Sequence, residues 1–342
     1  MVISEKYSNF ALLELKTKDL QMYKLFFELL QVAVGQLDCL SRGPSPEEWQ
    51  ELYNIARQQQ LTGIGYRGVE LLFEYGLRAP QDLSIDWMAD AETIREGYYR
   101  LTKRGALVQK RLTEKGIRSS VLTGPGLAIR YDAGLDELRQ PTRIDFYVGC
   151  DMKRAVKFVE LTGQQRVHHN TVFARLERWE DTAIRLYCQP GMRMNPLKNK
   201  KLKQWLQRNA DALYCEENGL VIPSLSMAIV CVLLNFRRNL LHGCATMSEL
   251  MDCYFLLRRA GGNFGLFKDG VTIETTMKQF GFLPLAQGVM WLLQEALSLD
   301  RSLMPCEPDE AEGHFVMSQV MKGRQLWPML RKYPFGLLWS IV

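Results

Sequence analysis

The chain has 342 residues, of which 47% are hydrophobic and 24% are charged, and 43 basic against 38 acidic residues give a formal net charge of +5. This composition excludes a disordered or fibrous protein, and such a small charge excess does not indicate nucleic-acid binding. The longest apolar run, Met227 to Leu234, is too short to span a membrane, and the first residues lack the pattern of a secretory signal. We therefore expect a cytoplasmic protein without a membrane anchor.

The first third of the chain is predicted to be helical. Apolar residues recur at helical spacing from Leu20 to Leu72 and again from Trp87 to Lys115. A turn-rich stretch interrupts the first run, and it supplies Ser45 as a helix cap with Pro46 at the first helical position. Gly116 follows the lysine that ends the second run, as glycines commonly do at the ends of helices.

After Gly116 the pattern changes to short β-type segments separated by turns. Four strands are predicted: Ser119 to Leu122, Ile144 to Val148, Thr171 to Leu176 and Thr182 to Tyr187. A glycine turn with a short apolar helix lies between the first two strands, and Met152 to Leu161 is a further predicted helix. This order of elements indicates a small mixed sheet.

The helical period returns in the last third of the chain, in four segments: 224–241, 246–260, 272–280 and 284–299. The basic cluster Lys198 to Lys203 is interpreted as a solvated helix face. The apolar segment Tyr333 to Val342 is expected to pack onto the C-terminal helices or a neighbouring molecule. We predict an α+β fold, with an N-terminal helical unit (1–116), a sheet core (117–190) and a C-terminal helical unit (191–342).

Several stretches together resemble one family. They are Trp49 to Gly65, Val121 to Gly126, Arg139 to Val148, the pair His168-His169 ahead of two strands, and Met247 to Asp252. In this order they resemble the nucleotidyltransferase superfamily that includes DNA polymerase β, and within it an uncharacterised bacterial family with helical arms on both sides of the core. The resemblance implies a minimal nucleotidyltransferase sheet in the middle of the chain.

The metal ligands that the resemblance implies are mostly replaced. The family carries Gly-Asp-x-Asp on one strand and a third acidic residue on a neighbouring strand, and these carboxylates hold two Mg²⁺ ions. Here Asp145 keeps the second aspartate position, whereas Arg143 stands in the first and Thr142 replaces the glycine. Arg185 occupies the expected third position. These departures from the family pattern therefore predict a degenerate site that holds no metal.

The turn after the first strand matches the family pattern in part. Thr123 stands where the family has a lysine, while Gly124 and Gly126 keep the turn from strand to helix. We interpret Arg143 and Asp145 as an ion pair on one strand face, to which Arg185 could be added. The sharper alternative is a metal-independent phosphate site, because planar guanidinium groups fit phosphate oxygens.

Other candidate groups are weaker. Replacement carboxylates could come from the loop Asp132 to Glu137 or from Glu180 and Asp181, but acidic loop residues are usually only solvated. His168 and His169 are adjacent on an extended segment, so at most one faces the cleft, and their role stays open. His242 is interpreted as a helix-end residue.

Eight cysteines are scattered along the chain without a C-x-x-C pair. We expect reduced thiols and no zinc site.

The leading functional hypothesis is a degenerate nucleotidyltransferase-family protein, a pseudoenzyme with little or no metal-dependent transfer activity, which binds a nucleotide or a phosphate through Thr123, Gly124, Gly126, Arg143 and Arg185. No cofactor is expected. One alternative is an active transferase that uses Asp145 with Mg²⁺ and an NTP to modify a hydroxyl acceptor. Another is a non-catalytic scaffold whose helical arms bind a protein partner.

Overall fold

A computed structural model describes residues 17–140, 143–164, 166–179, 182–188 and 196–321 of the chain. The segment Tyr333 to Val342, for which packing is predicted, lies outside these residues. Thr142, Glu180 and Asp181 lie outside them as well. The α+β class predicted from the sequence is confirmed, because a small mixed sheet in the middle of the chain is flanked by helices on both sides in sequence.

The N-terminal part is helical as predicted. Within residues 17–118, four α-helices precede the sheet: α1 (Thr17–Ala33), α2 (Pro46–Gln58), α3 (Thr62–Leu72) and α4 (Gln81–Glu114). A 3-10 turn, Phe73–Tyr75, follows α3. Ser45 caps α2 and forms a capping box with Glu48, which confirms the predicted start. Helix α4 begins earlier than predicted, because the polar residues of its first turn have no apolar period.

The central sheet has five strands in the order β1-β2-β5-β4-β3. The strands are β1 (Ser119–Val121), β2 (Ile144–Val148), β3 (His168–His169), β4 (Phe173–Trp179) and β5 (Thr182–Tyr187). Strands β2 and β5 are parallel, and the other pairs are antiparallel. Two helices lie between strands in the chain, α5 (Pro125–Ala128) and α6 (Met152–Glu160). The parallel pair places Asp145 of β2 opposite Arg185 of β5.

A two-stranded hairpin that the sequence analysis missed packs beside the sheet. It consists of β6 (Cys215–Glu217) and β7 (Leu220–Ile222). Its turn is Asn218-Gly219, with φ angles of 49° and 76°, and an Asn-Gly pair of this kind is a strong hairpin signal. The Gln109 side chain of α4 donates to the Val221 carbonyl at 2.9 Å and accepts from the Val221 amide at 2.8 Å. These two bonds attach the hairpin to α4.

The described C-terminal range, 196–321, contains six α-helices: α7 (Pro196–Arg208), α8 (Leu225–His242), α9 (Met247–Ala260), α10 (Ile273–Phe280), α11 (Leu283–Leu297) and α12 (Glu310–Met321). Two 3-10 turns, Ala210–Leu213 and Arg301–Leu303, accompany them. Left-handed glycines end α8, α9 and α10, which confirms the predicted ends of these helices to within one residue. Helix α12 was missed because most of its residues are buried, so its sequence has no polar face.

The buried side chains form two hydrophobic clusters. The larger one combines helices from both ends of the chain, and the smaller one lies between the sheet, α4 and α6. Helix α4 belongs to both, because Trp87 lies in the larger cluster and Val108 in the smaller. The unit boundaries at residues 116 and 190 stay a prediction. In the part of the chain that the structure describes, no helix is long and apolar enough to cross a membrane.

Candidate functional site

A cavity of about 620 Å³ opens between the sheet and helices α8 and α9. Its walls come from the ends of β2 and β5, from one face of α8 and from the start of α9. The charged residues that line it are five arginines and three carboxylates: Arg139, Arg143, Arg185, Arg237, Arg238, Asp145, Glu249 and Asp252. The cavity wall therefore carries an excess of positive charge.

The predicted ion pair on β2 is confirmed. The Arg143 Nε donates to both carboxylate oxygens of Asp145, at 3.0 and 3.1 Å. Burial lowers the pKa of Arg143, but the charge of Asp145 and its hydrogen bond, with contributions from Tyr187 and Glu249, together outweigh burial, so the pKa is raised. Thr123 fixes the strand at this point, since its hydroxyl accepts from the Asp145 amide at 3.0 Å. The Asp145 side chain is buried, whereas Arg143 is partly exposed in the cavity.

Arg185 does not join this pair through a direct contact among the described residues. Its Nη1 instead donates to the Tyr187 hydroxyl at 3.5 Å, and its guanidinium carbon lies 5.1 Å from the Phe173 ring centre. The Tyr187 hydroxyl also accepts from Nη1 of Arg238 at 3.2 Å. Two arginines from different elements, β5 and α8, therefore converge on one oxygen atom in the cavity wall.

The α8 face of the cavity was missed by the sequence analysis. Arg238 donates from Nη2 to the side-chain oxygen Oδ1 of Asn235 and from Nε, at 3.4 Å, to the side-chain oxygen Oδ1 of Asn239. The amide nitrogens of the same two asparagines donate to Oε1 of Glu249, at 2.8 and 2.7 Å. Asn235, Arg238, Asn239 and His242, at i, i+3, i+4 and i+7, form one polar stripe on a largely apolar helix. That stripe was the available signal.

Glu249 is held at the first turn of α9. Besides the two asparagines, the Thr246 amide donates to its Oε2 at 3.4 Å, as part of a capping box. Burial raises the pKa of Glu249 to about 7, although these donors and Arg238 act in the opposite direction. The carboxyl group therefore titrates near neutral pH in the folded protein.

A second buried ion pair closes one end of the cavity. Arg139 donates to both oxygens of Asp252, at 2.6 and 2.8 Å, and the Tyr131 hydroxyl donates to the same carboxylate at 2.8 Å. This pair connects the segment before β2 to helix α9. Because each charge of this pair compensates the other, the pair adds little net charge to the cavity wall.

The two glycines of the predicted site have backbone roles. Gly124 has φ of 65°, and Gly126 approaches the Val121 carbonyl so closely that a Cβ would lie 2.5 Å from its oxygen. Neither glycine is among the cavity-lining residues, which include Thr123 and Leu127. Helix α5 has four residues, and the Leu127 and Ala128 amides both donate to the Gly124 carbonyl.

One of the three histidine candidates lines the cavity and two do not. His168 and His169 are exposed on β3 and do not line the cavity, whereas His242 lies at its rim and is in the last turn of α8, as predicted.

The described loop acids bind other elements. Asp132 pairs with Arg258, Glu137 pairs with Arg95, and Asp136 accepts from Tyr98. Among the described residues, no group of three or more His, Cys, Asp or Glu side chains is placed to hold a metal ion.

Comparison with known proteins gives one match. The family model described as uncharacterised nucleotidyltransferase matches residues 45–297, which include α2 to α11, the whole sheet and every residue that lines the cavity. No curated protein and no solved structure matches the chain.

Proposed function

The chain belongs to the uncharacterised nucleotidyltransferase family, and from this premise we propose that its cavity binds a nucleotide or a phosphate without a metal ion and with little or no nucleotidyl transfer. The observation that carries this proposal is the state of Asp145. Both of its oxygens accept from Arg143, and its neighbour across the parallel pair is Arg185. The positions expected to bind metal thus carry two guanidinium groups and one engaged carboxylate.

The residues present do not fit a pair of Mg²⁺ ions. Mg²⁺ needs oxygen ligands in near-octahedral geometry, and two such ions need carboxylates on both sides. A guanidinium group about 4 Å from a cation is opposed by about 4 kcal/mol per unit charge at an effective dielectric of 20, and the ion carries two charges. Arg143 and Arg185 in ligand positions therefore disfavour the metal, and we derive no step through it.

The same residues suit a phosphate group. Arg185 forms no ion pair with any described residue, so the N–H groups of its guanidinium can bind an anion from the cavity side. Guanidinium groups bind phosphate oxygens through two parallel hydrogen bonds, and they remain charged at every physiological pH. Arg143 adds the N–H groups that it does not use on Asp145. Thr123 keeps β2 in place, while Gly124 and Gly126 shape the turn beneath it.

Thermal-shift measurements test the proposal directly. The protein would be heated in EDTA with inorganic phosphate, AMP, ADP or ATP, and in parallel with Mg²⁺ in place of EDTA. We expect a rise in the melting temperature that does not require Mg²⁺, because a ligand that binds only the folded state stabilises it. Arg185→Ala should reduce the rise. Arg100→Ala, which removes an exposed arginine of α4 outside the cavity, should leave it unchanged.

Two results would replace the proposal with its alternatives. A melting temperature unchanged by every ligand would favour a scaffold whose helical arms bind a protein partner. Release of pyrophosphate from an NTP that needs Mg²⁺ and is lost in Asp145→Ala would favour an active transferase acting on a hydroxyl acceptor.

A further inference from the structure

Two cysteines that are distant in the sequence, Cys150 and Cys188, meet at one end of the central sheet. We propose that they form a redox-active dithiol, in which Cys150 reacts first with a peroxide and Cys188 then closes an intramolecular disulfide bond. The site is separate from the cavity, because neither cysteine is among the residues that line it. The proposal therefore does not depend on the proposed function.

The topology of the sheet brings the two residues together. Strands β2 and β5 are parallel, and their last paired residues are Tyr147 and Tyr187. Cys188 directly follows Tyr187, and Cys150 comes shortly after Tyr147, so both stand where the carboxyl ends of the two strands meet. Neighbouring strands lie about 4.8 Å apart, which is within the reach of two cysteine side chains.

Both side chains lie on the same face of the sheet. Side chains alternate along a strand, so Cys188 continues the face of Ile184 and Leu186. Those two residues belong to the smaller hydrophobic cluster, and Cys150 and Cys188 both pack against it. The thiol groups are also in contact, since Cys188 is hydrogen bonded to the sulfur of Cys150. Both cysteines are reduced and half-buried, so a small reagent can reach them from solvent.

The surroundings make Cys150 the more reactive of the two. The hydrogen bond from Cys188 lowers the pKa of Cys150, whereas burial raises it. Arg154 lowers this pKa further and Asp151 raises it, and the sum of these effects is a lowered pKa. The pKa of Cys188 is raised by its hydrogen bond to Cys150 and by burial. Because a thiolate is the nucleophile, Cys150 is the attacking residue and Cys188 the resolving one.

The reaction has two balanced steps. The Cys150 thiolate attacks one oxygen of hydrogen peroxide, the O–O bond breaks, and a sulfenic acid and hydroxide form; the hydroxide takes up a proton to give water. This step removes the negative charge of Cys150, which had kept the Cys188 thiol protonated. Cys188 then loses its proton and attacks the Cys150 sulfur, the S–O bond breaks, and the leaving hydroxide becomes a second water. The two sulfurs together have given two electrons to the peroxide.

Peptide mapping of the full chain tests the proposal. The reduced protein would be treated with an equimolar amount of hydrogen peroxide, alkylated to block the remaining thiols and digested with trypsin. We expect the peptides 144–153 and 186–193 to be joined by a disulfide bond that dithiothreitol reverses. Peroxide treatment that leaves both cysteines alkylated, or that joins either one to a different cysteine, would overturn the proposal.

Variants test the two roles separately. In Cys188→Ser, Cys150 should accumulate as a sulfenic acid that dimedone traps, because the resolving thiol is absent. In Cys150→Ser, oxidation of Cys188 should be about tenfold or more slower than in the unaltered protein. Equally fast oxidation of Cys188 in that variant would contradict the order of the two steps. Cys39→Ser removes a half-buried cysteine of the larger cluster, and as the control it should form the same disulfide bond.

Melting temperatures give a readout that needs no variant. The disulfide closes a loop from Cys150 to Cys188, and cross-linking about 40 residues restricts the unfolded chain. The oxidised protein should therefore melt about 3 °C or more above the reduced protein, and the same treatment of folded Cys188→Ser should give no rise. An oxidised protein that melts at or below the temperature of the reduced one would show that the bond does not fit the folded strand ends, and it would overturn the proposal.

Discussion

A carboxylate whose two oxygens both accept from one guanidinium nitrogen has its negative charge compensated, so it attracts a metal cation less strongly. Asp145 is in this state, because Arg143 lies two residues before it on the same face of β2. The spacing that would place two metal-binding aspartates side by side instead places opposite charges side by side. The pair is therefore a direct geometric consequence of the i, i+2 spacing along an extended segment.

This pair should behave as a unit in stability measurements. Asp145→Ala leaves the Arg143 charge partly buried without a partner, and we expect the free energy of unfolding to fall by about 3 kcal/mol. The double variant Asp145→Ala/Arg143→Ala removes both charges and should recover part of that loss. Urea denaturation measures both values. A double variant that is as unstable as the single variant, or more so, would contradict the pairing.

Glu249 predicts a pH dependence of stability. Burial raises its pKa from 4.5 to about 7, so between these pH values the folded protein holds a proton that the unfolded chain has lost. Its stabilising contribution is therefore complete below pH 4.5, decreases as the pH rises, and is gone above pH 7, with a total change of at most about 3 kcal/mol.

Glu249→Gln is the matched variant, because it keeps the shape and removes the titration. Urea denaturation at pH 5 and pH 8 should show a smaller pH difference for the variant than for the unaltered protein. If the free energy of unfolding changed equally between pH 5 and pH 8 in the two proteins, the pH dependence would come from other groups.

At the scale of single elements, the strands that form the site were predictable and the helix that completes it was not. The bounds of β2 and β5 agree with their predicted segments, because alternating apolar residues end at clear turns. Arg143, Asp145 and Arg185 could therefore be placed on neighbouring strands from the sequence. Arg238 and Glu249 could not, because they join the site only through the packing of α8 and α9 against the sheet.

The turn between β1 and α5 shows why a glycine pattern that matches a family does not by itself identify a ligand site. Gly126 is explained by a close backbone approach, so Gly126→Ala should destabilise the protein by about 2 kcal/mol through overpacking against the Val121 carbonyl. Gly43→Ala is a suitable control, since its Cβ would make only an ordinary contact, 3.4 Å from the Leu77 side chain. If Gly126→Ala keeps the melting temperature of the unaltered protein but loses phosphate binding, the glycine contributes to the site instead.

At the scale of the whole molecule, the sheet and the helical parts meet at the cavity. Helix α4 contributes to both hydrophobic clusters, and the Arg139–Asp252 pair joins the segment before β2 to α9. The helical arms therefore supply part of the site wall as well as the surrounding core. The joint contribution of the sheet and the helices to the cavity wall could not be predicted from the sequence. It depends on contacts between residues more than one hundred positions apart, such as Arg139 and Asp252.

The central claim is that a positive site occupies the position of a negative metal site, and calorimetric titration with Mg²⁺ tests it most directly. The unaltered protein would be compared with Arg143→Asp/Arg185→Glu, which restores three carboxylates, after the melting temperature of each has been measured. We predict no Mg²⁺ binding at Asp145 in the unaltered protein and a measurable gain of Mg²⁺ affinity in the variant. Tight Mg²⁺ binding by the unaltered protein that disappears in Asp145→Ala would contradict the account.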